Sequence, residues 1–192
     1  CSQSRGLGDV YKRQGLKIPE RDKLSLIQLC DASGNVYVIQ PDRKTYKAPN
    51  LVSILEDEKI LKIGHYLRFD KNALEFFLKC KIKNIFDTKI ASKVVRTYTD
   101  QHGLKNLVYE FCNKNLDKRA GSSDWNKNIN ELTDKQLEYA ANDVIYLHKI
   151  KNELEKMLKR ENRMDLYQNC ITFLDTRIAL DQSGFKFDIF EH

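Results

Sequence analysis

The sequence predicts an α/β domain built on a mixed sheet with helices on both faces. Three observations predict it. An apolar run, Lys23-Leu-Ser-Leu-Ile-Gln-Leu-Cys30, is followed by turn chemistry and a second run, Val36-Tyr-Val-Ile39, so the two form a hairpin. Later strand-like runs alternate with stretches of helical spacing. Across 192 residues, 41% hydrophobic and 31% charged content suit one globular domain with a sizeable core, not a disordered chain.

The elements follow in order. Asp31-Ala-Ser-Gly-Asn35 is the hairpin turn. Residues 41–49 form a loop, and Asn50 is expected to cap a short helix over residues 51–57. Lys59-Ile-Leu-Lys-Ile63 reads as a strand running into Gly64-His65, and Asn72-Ala-Leu-Glu-Phe-Phe-Leu78 has helical spacing. Asp70 stands near the opening of that helix. One reading makes it a capping or dipole-neutralising residue. The other makes it a carboxylate aimed from a strand-to-helix junction into a cleft.

Lys83-Asn-Ile-Phe86 is a short strand, and Asp87 is the expected N-cap of a helix reaching Val95. Residues 103–111 are a further amphipathic helix. Residues 113–130 are polar and irregular, and their Trp125 reads as a core anchor in preference to a base-stacking group. Thr133 with Gln136 three residues later is a capping box. No Gly or Pro occurs from there to Asn162, so one helix is expected to run to about Arg160. A last long helix spans residues 164–182, Gly184 ends it, and a short tail follows.

The capping-box helix carries Tyr139-Ala-Ala-Asn-Asp143. Residues four apart share a helix face, so Tyr139 and Asp143 are stacked neighbours. They read either as a surface pair or as a phenol and a carboxylate that hold a metal ion and a water together. Leu137, Ala140, Ala141, Val144 and His148 lie on one side of this helix. His148 reads as a packed or solvated residue, not a ligand.

The formal charge of +6 and the sequence pI of about 9.0 favour a polyanionic partner, of which nucleic acid is the common one. Five Cys stand far apart, with no C-x-x-C pair and no zinc-knuckle spacing. That usage points to reduced thiols in a cytoplasmic protein. No apolar run reaches membrane-spanning length and no signal-peptide pattern opens the chain, so no membrane partner is expected.

Residues 1–14 have no periodic apolar pattern. Asp9-Val-Tyr-Lys-Arg-Gln14 can be encoded by GATGTGTATAAGAGACAG, which looks like the end of a transposon-based sequencing adapter. The expectation is that residues 1–14 are translated adapter and residues 15–192 the domain. The alternative is a genuine disordered arm.

Several of these segments, in this order, resemble the ribonuclease D branch of the DEDD 3′–5′ exonuclease superfamily. The resemblance covers residues 15–192. Lys23-Leu-Ser-Leu-Ile-Gln-Leu29 resembles the second strand, and Gly64-His-Tyr-Leu-Arg-Phe-Asp70 the second exonuclease motif. Phe86-Asp-Thr-Lys-Ile-Ala91, Leu116-Asp-Lys118 and Ser123-Asp-Trp125 resemble segments of this branch. Tyr139-Ala-Ala-Asn-Asp143 resembles the third motif, in its tyrosine subclass.

The resemblance implies a ribonuclease H-like mixed sheet flanked by helices. It implies two divalent cations, Mg2+ or Mn2+, that activate water against a 3′-terminal phosphodiester. It makes Asp143 a direct metal ligand and lets Asp70 hold the second metal directly or through water. Tyr139 would orient the attacking water, since a phenol is a poor outright base at neutral pH. His65 and Lys118 would contact substrate. Lys105 and Arg119 are further candidates for a positive groove, against the commoner reading of solvated lysines. The implied substrate is an RNA 3′ end, tRNA precursors included, with release of nucleoside 5′-monophosphates.

The sequence departs from the family ahead of Gly15, where the first motif, Asp-x-Glu, supplies two carboxylates. Here that place holds Asp9-Val-Tyr-Lys-Arg-Gln14, with no such pair. The expectation is that this polypeptide lacks the central first strand and is poorly active. Tyr66 stands where many relatives carry a small residue or Asn. A single-domain form would rely on its catalytic groove alone for binding. Two rival readings are a DNA-directed proofreading or repair exonuclease and a nucleic-acid-binding domain that has lost catalysis. No residue that would tell RNA from DNA is evident, and the oligomeric state is open.

Overall fold

The structure is a computed structural model that describes residues 24–116, 128–185 and 189, and the backbone of residues 2–6. The expectations for Asp9–Gln14, Gly15, Lys23, Lys118, Arg119, Ser122, Ser123, Asp124 and Trp125, and for most of the C-terminal tail, lie outside the described residues.

The expected hairpin is present. β2 (Leu24–Cys30) pairs antiparallel with β3 (Val36–Ile39), in the register Ile27 with Ile39 and Cys30 with Val36. The turn closes on one side chain. Asp31 Oδ1 accepts the backbone N–H groups of Ser33 and Asn35, both at 2.9 Å, and Gly34 takes φ +88°. β2 is buried from end to end except at Leu29. Such a strand has its backbone groups away from water, and they need ladder partners on both edges.

The second edge is filled by β1 (Ser2–Gly6), which runs antiparallel to β2 from Ser2 opposite Leu29 to Gly6 opposite Leu24. The place expected to stand vacant is therefore taken by residues set aside as adapter. Ladder hydrogen bonds use backbone alone, so an open edge accepts extended chain whatever its side chains. β4 (Lys62–Gly64) and β5 (Ile85–Asp87) are parallel to each other, and β1 also lies against β4. The strands form two sheets, β3-β2-β1 antiparallel and β4-β5 parallel, so strand directions are mixed as expected.

Helices cover both faces. α1 (Pro49–Glu56) and α2 (Leu67–Leu78) set Leu51, Leu55, Leu74 and Leu78 against Leu24 and Ile27. Asn50 does not cap α1. Ala48 holds the cap position and Pro49 the first turn, where its missing N–H costs nothing. The next strand is shorter than expected, because Lys59 N donates to Asp57 Oδ1 at 2.8 Å in a turn that uses up its first residues.

α3 (Thr88–Val95) and α4 (Leu104–Cys112) pack with α6 (Leu147–Arg160) and α7 (Met164–Gln182) around Ile63 and Phe86. α6 buries Leu147, Ile150, Leu154 and Leu158, a stripe at helical spacing.

The single helix expected from residue 133 to about 160 is two. α5 (Asp134–Asn142) stops at Asp143, and a turn over residues 143–146 leads into α6. Neither Gly nor Pro is needed for the break. Asn142, Asp143, Val144 and Ile145 are all weak helix formers in sequence. Packing then decides: Ala140 belongs to a cluster with Leu26 and Leu132, whereas Val144 belongs to the main core. A straight helix does not serve both.

Candidate active site

The segment Gly64-His-Tyr-Leu-Arg-Phe-Asp70 turns from β4 into α2. Tyr66 sits at the N-cap with φ +64°, a left-handed backbone rarely adopted by an aromatic residue. Its side chain makes no cap; a neighbouring strand supplies one. Asp87 Oδ1 accepts from Tyr66 N at 3.2 Å, and Oδ2 accepts from Leu67 N at 2.7 Å. Oδ1 also accepts from Lys89 N at 2.8 Å and Ile90 N at 3.1 Å, the cap of α3 foreseen from sequence. One buried carboxylate therefore closes the N-termini of two helices. Burial raises its pKa above the ordinary carboxylate value against the downward pull of those four N–H groups.

Asp70 stands half-buried in the first turn of α2, three residues inside the helix start. The N–H groups of Tyr66 and Leu67 are capped by Asp87, while Asp70 stands in the first turn, where a carboxylate suits the helix dipole as its first reading allowed. The start of α2 is also tied to α7. Arg68 Nε and Nη2 each donate to a different oxygen of Asp181 at 2.6 Å. Lys71, buried in α2, bonds Glu75 and reaches Asp175 Oδ1 at 2.9 Å.

His65 precedes this helix. Its Nδ1 lies 3.0 Å from Thr88 Oγ1, and Thr88 Oγ1 donates to the Gly64 carbonyl at 2.9 Å. Burial, with the nearby Lys89 charge, lowers the His65 pKa to about 3.

The other half of the candidate site is built by α5. The capping box is complete: Gln136 N donates to Thr133 Oγ1, and Thr133 N donates to Gln136 Oε1. The helix so started brings Tyr139 and Asp143 to one cavity of about 200 Å³. Gly103, Leu104, Lys105, Asn106, Leu116 and Asn142 complete its lining. Lys105, a groove candidate, thus stands at the cavity of Tyr139 and Asp143. Tyr139 also packs on the Leu26 cluster, so α5 is seated on the sheet through the residue that faces the cavity. Asp70 is not part of that lining. His148 is a packed residue, its Nε2 3.4 Å from the Cys30 carbonyl.

The sequence reading missed the grip of Asp87 on α2, the role of Thr88 beside His65 and the Arg68–Asp181 pair. The first two depend on the parallel register that sets Gly64 opposite Asp87. No local spacing signals that register.

Comparison with known proteins adds a family. The 3′–5′ exonuclease family matches residues 13–159. A ribonuclease D of Gluconacetobacter diazotrophicus is 30% identical over 74% of this chain and 35% of its own length. The DNA polymerase I of Aquifex aeolicus is 32% identical over 71% of this chain and 22% of its own. The chain spans about a third or less of these two relatives. Among solved structures, Brucella melitensis NrnC is 42% identical with a TM-score of 0.88, covering 100% of this chain and 88% of that one. The same Brucella protein has been solved bound to pGG and with bound Mg2+. The chain described here belongs to the 3′–5′ exonuclease family.

Proposed function

We propose that this domain is built to remove nucleotides one at a time from RNA 3′ ends, with release of nucleoside 5′-monophosphates. The observation that carries the reading is the shared cavity of Tyr139, Asp143 and Lys105 in a chain of this family. A phenol, a carboxylate and an ammonium side by side suit a phosphodiester: the ammonium draws the phosphate, and the phenol orients a water toward it.

The donor chemistry suits a hard divalent cation, since Asp70 and Asp143 offer carboxylate oxygens. The described residues do not complete a cage. Among them, no three His, Cys, Asp or Glu side chains gather as a metal group. Two cations would need the further pair of carboxylates that Asp-x-Glu provides. The Brucella relative with bound Mg2+ supports this metal class. Bound cations would supply an activated water and neutralise phosphate charge. In this proposal Asp143 is a direct ligand and Asp70 holds the second site. Residues 1–14 are adapter, and residues 15–192 are the exonuclease domain of a cytoplasmic enzyme. The 192-residue polypeptide, with no Asp-x-Glu ahead of Gly15, turns over poorly.

The test is digestion of a 5′-labelled RNA with Mg2+, by this polypeptide and by a form carrying Asp-x-Glu in the strand ahead of Gly15. The second form is expected to give a ladder shortening by single nucleotides from the 3′ end, and the first little product. Internal cleavage by the second form would sink the exonuclease reading. Turnover by the first form equal to that of an intact relative would sink the inactivity proposal. The similarity to DNA polymerase I favours one rival, a DNA-directed exonuclease. A matched DNA oligonucleotide degraded faster than the RNA would establish it.

A further inference from the structure

Gln28 lies inside β2 and is 0% exposed. Neither its amide oxygen nor its amide nitrogen has a hydrogen-bond partner among the described residues. Burying an amide without partners is costly, and an apolar side chain of the same length would fill the place at less expense. An orphan of this kind calls for a partner that this state of the molecule does not offer.

Its neighbours tell which face it occupies. Ile27 clusters with Leu51 and Leu74 under α1 and α2, whereas Leu26 clusters with Ala140, and Tyr139 packs against them. Successive strand residues point to opposite faces, so Gln28 shares the side of Leu26. Val38, directly opposite Gln28 in the ladder, packs on that same cluster. Two residues further along β2, the Cys30 carbonyl lies 3.4 Å from His148 Nε2, in the first turn of α6. Gln28 therefore sits between the α5 contact and the α6 contact, on the face covered by the stretch from Ala140 to His148. That stretch holds the break between the two helices, and Asp143 stands at the break.

We infer that Gln28 is a positioning residue for Asp143: its amide N–H donates to the Asp143 carboxylate when that carboxylate ligates a divalent cation. The inference rests on the exonuclease reading above and deepens it. A carboxylate that gives one oxygen to a cation keeps lone pairs that need donors, and a donor fixed in a strand sets its orientation. Glutamine suits the task. Its nitrogen carries two protons, and the group is neutral, so it does not repel the cation as Lys or Arg would. The unbonded amide lowers the stability of the empty fold and leaves a donor already in place for the loaded one, a trade of stability for function.

Gln28→Met tests it, since Met keeps the length of the side chain and removes the amide. A structural role and a positioning role move stability in opposite directions. On the full 192-residue chain the urea midpoint of Gln28→Met is expected to equal or exceed that of wild type, because an apolar group replaces an orphaned polar one. A lower midpoint would show that the amide is already bonded in the empty fold, and it overturns the inference. The second readout uses the form carrying Asp-x-Glu, with Mg2+ and Mn2+ as probes. There Gln28→Met is expected to weaken cation binding by calorimetry about 10- to 100-fold, the usual worth of a partner that orients a metal ligand. At limiting cation kcat should fall by a similar factor, while KM for a short oligoribonucleotide changes little. Unchanged cation affinity, or a loss in KM alone, overturns the inference and leaves the exonuclease reading standing. If the Asp-x-Glu form with Gln28 intact neither binds a cation nor shortens the oligoribonucleotide, both fall.

Discussion

The carboxylate of Asp87 meets the backbone N–H of Leu67 at 2.7 Å, across a gap of 20 residues in sequence. Through this contact the start of α2, and with it Asp70, is set by the strand that leads into α3. Asp87 is fully buried and accepts four N–H groups from two helix ends.

Removing that carboxylate uncaps both helices at once. Each cap is worth about 1–2 kcal/mol, so Asp87→Ala is expected to cost about 2–4 kcal/mol. Asp87→Asn keeps one acceptor oxygen but turns an NH2 toward N–H donors, and it should recover only part of the loss. Urea midpoints of the three chains decide it. A cost below about 0.5 kcal/mol for Asp87→Ala would show that water replaces the carboxylate.

Arg68 and Asp181 form a second tie, joining α2 to α7 through two parallel 2.6 Å contacts. The Asp181 side chain is almost wholly buried, and Arg177 Nη2 reaches the same carboxylate at 2.8 Å. Asp181→Ala would leave two guanidinium groups facing each other without their anion, at a cost of about 3–5 kcal/mol. Arg68→Ala leaves Asp181 paired with Arg177 and should cost less. Because the carboxylate is shielded, the difference between the two variants should persist from low to high salt. Denaturation curves at two ionic strengths provide the check.

How much of this was legible in sequence depends on the range of the interaction. The hairpin turn at Asp31, the capping box of Thr133 and Gln136 and the cap of α3 by Asp87 are local, and residue types at fixed offsets announce them. The break after Asn142 was not legible. No Gly or Pro marks it, and its cause is that Ala140 and Val144 serve different cores. At the candidate site, four-residue spacing placed Tyr139 and Asp143 together, and they line one cavity. The neighbouring Lys105 comes from α4, more than thirty residues earlier in the chain, and was only one lysine among many. Asp87 was visible as a cap for the helix it begins, but its hold on α2 needs the pairing of β4 with β5.

His65 makes the acid stability of the fold pH-dependent in a stated direction. Its pKa is lowered from 6.5 to about 3 on folding, by burial first and Lys89 second. Between those values the unfolded chain binds a proton that the folded chain does not, so stability falls as pH drops through that window. His65→Gln keeps a polar side chain without a titrating ring, so its stability should fall less steeply from about pH 6.5 downward. The measurement is the urea midpoint of both chains at a series of pH values. Parallel curves would mean that His65 is protonated in the folded state and that its surroundings do not exclude the charge.

Asp143→Asn and Tyr139→Phe separate two kinds of contribution at the shared cavity. In the proposed roles, the first removes a charge that would draw a divalent cation; the second removes only a hydroxyl. In the form carrying Asp-x-Glu, Asp143→Asn is expected to abolish detectable Mg2+ or Mn2+ binding by calorimetry, together with turnover. Tyr139→Phe is expected to bind the cation normally and to lose about 10²–10⁴-fold in kcat, the usual worth of a group that positions or activates the attacking water. Its KM should change little, since the ring that packs on the Leu26 cluster remains. The decisive comparison is therefore metal affinity against kcat in one pair of variants. If Tyr139→Phe weakens metal binding as much as Asp143→Asn does, the hydroxyl is a ligand and its role as the orienting group for water fails. If neither variant alters metal binding or turnover, the reaction lies elsewhere on the molecule than the cavity that Tyr139, Asp143 and Lys105 share.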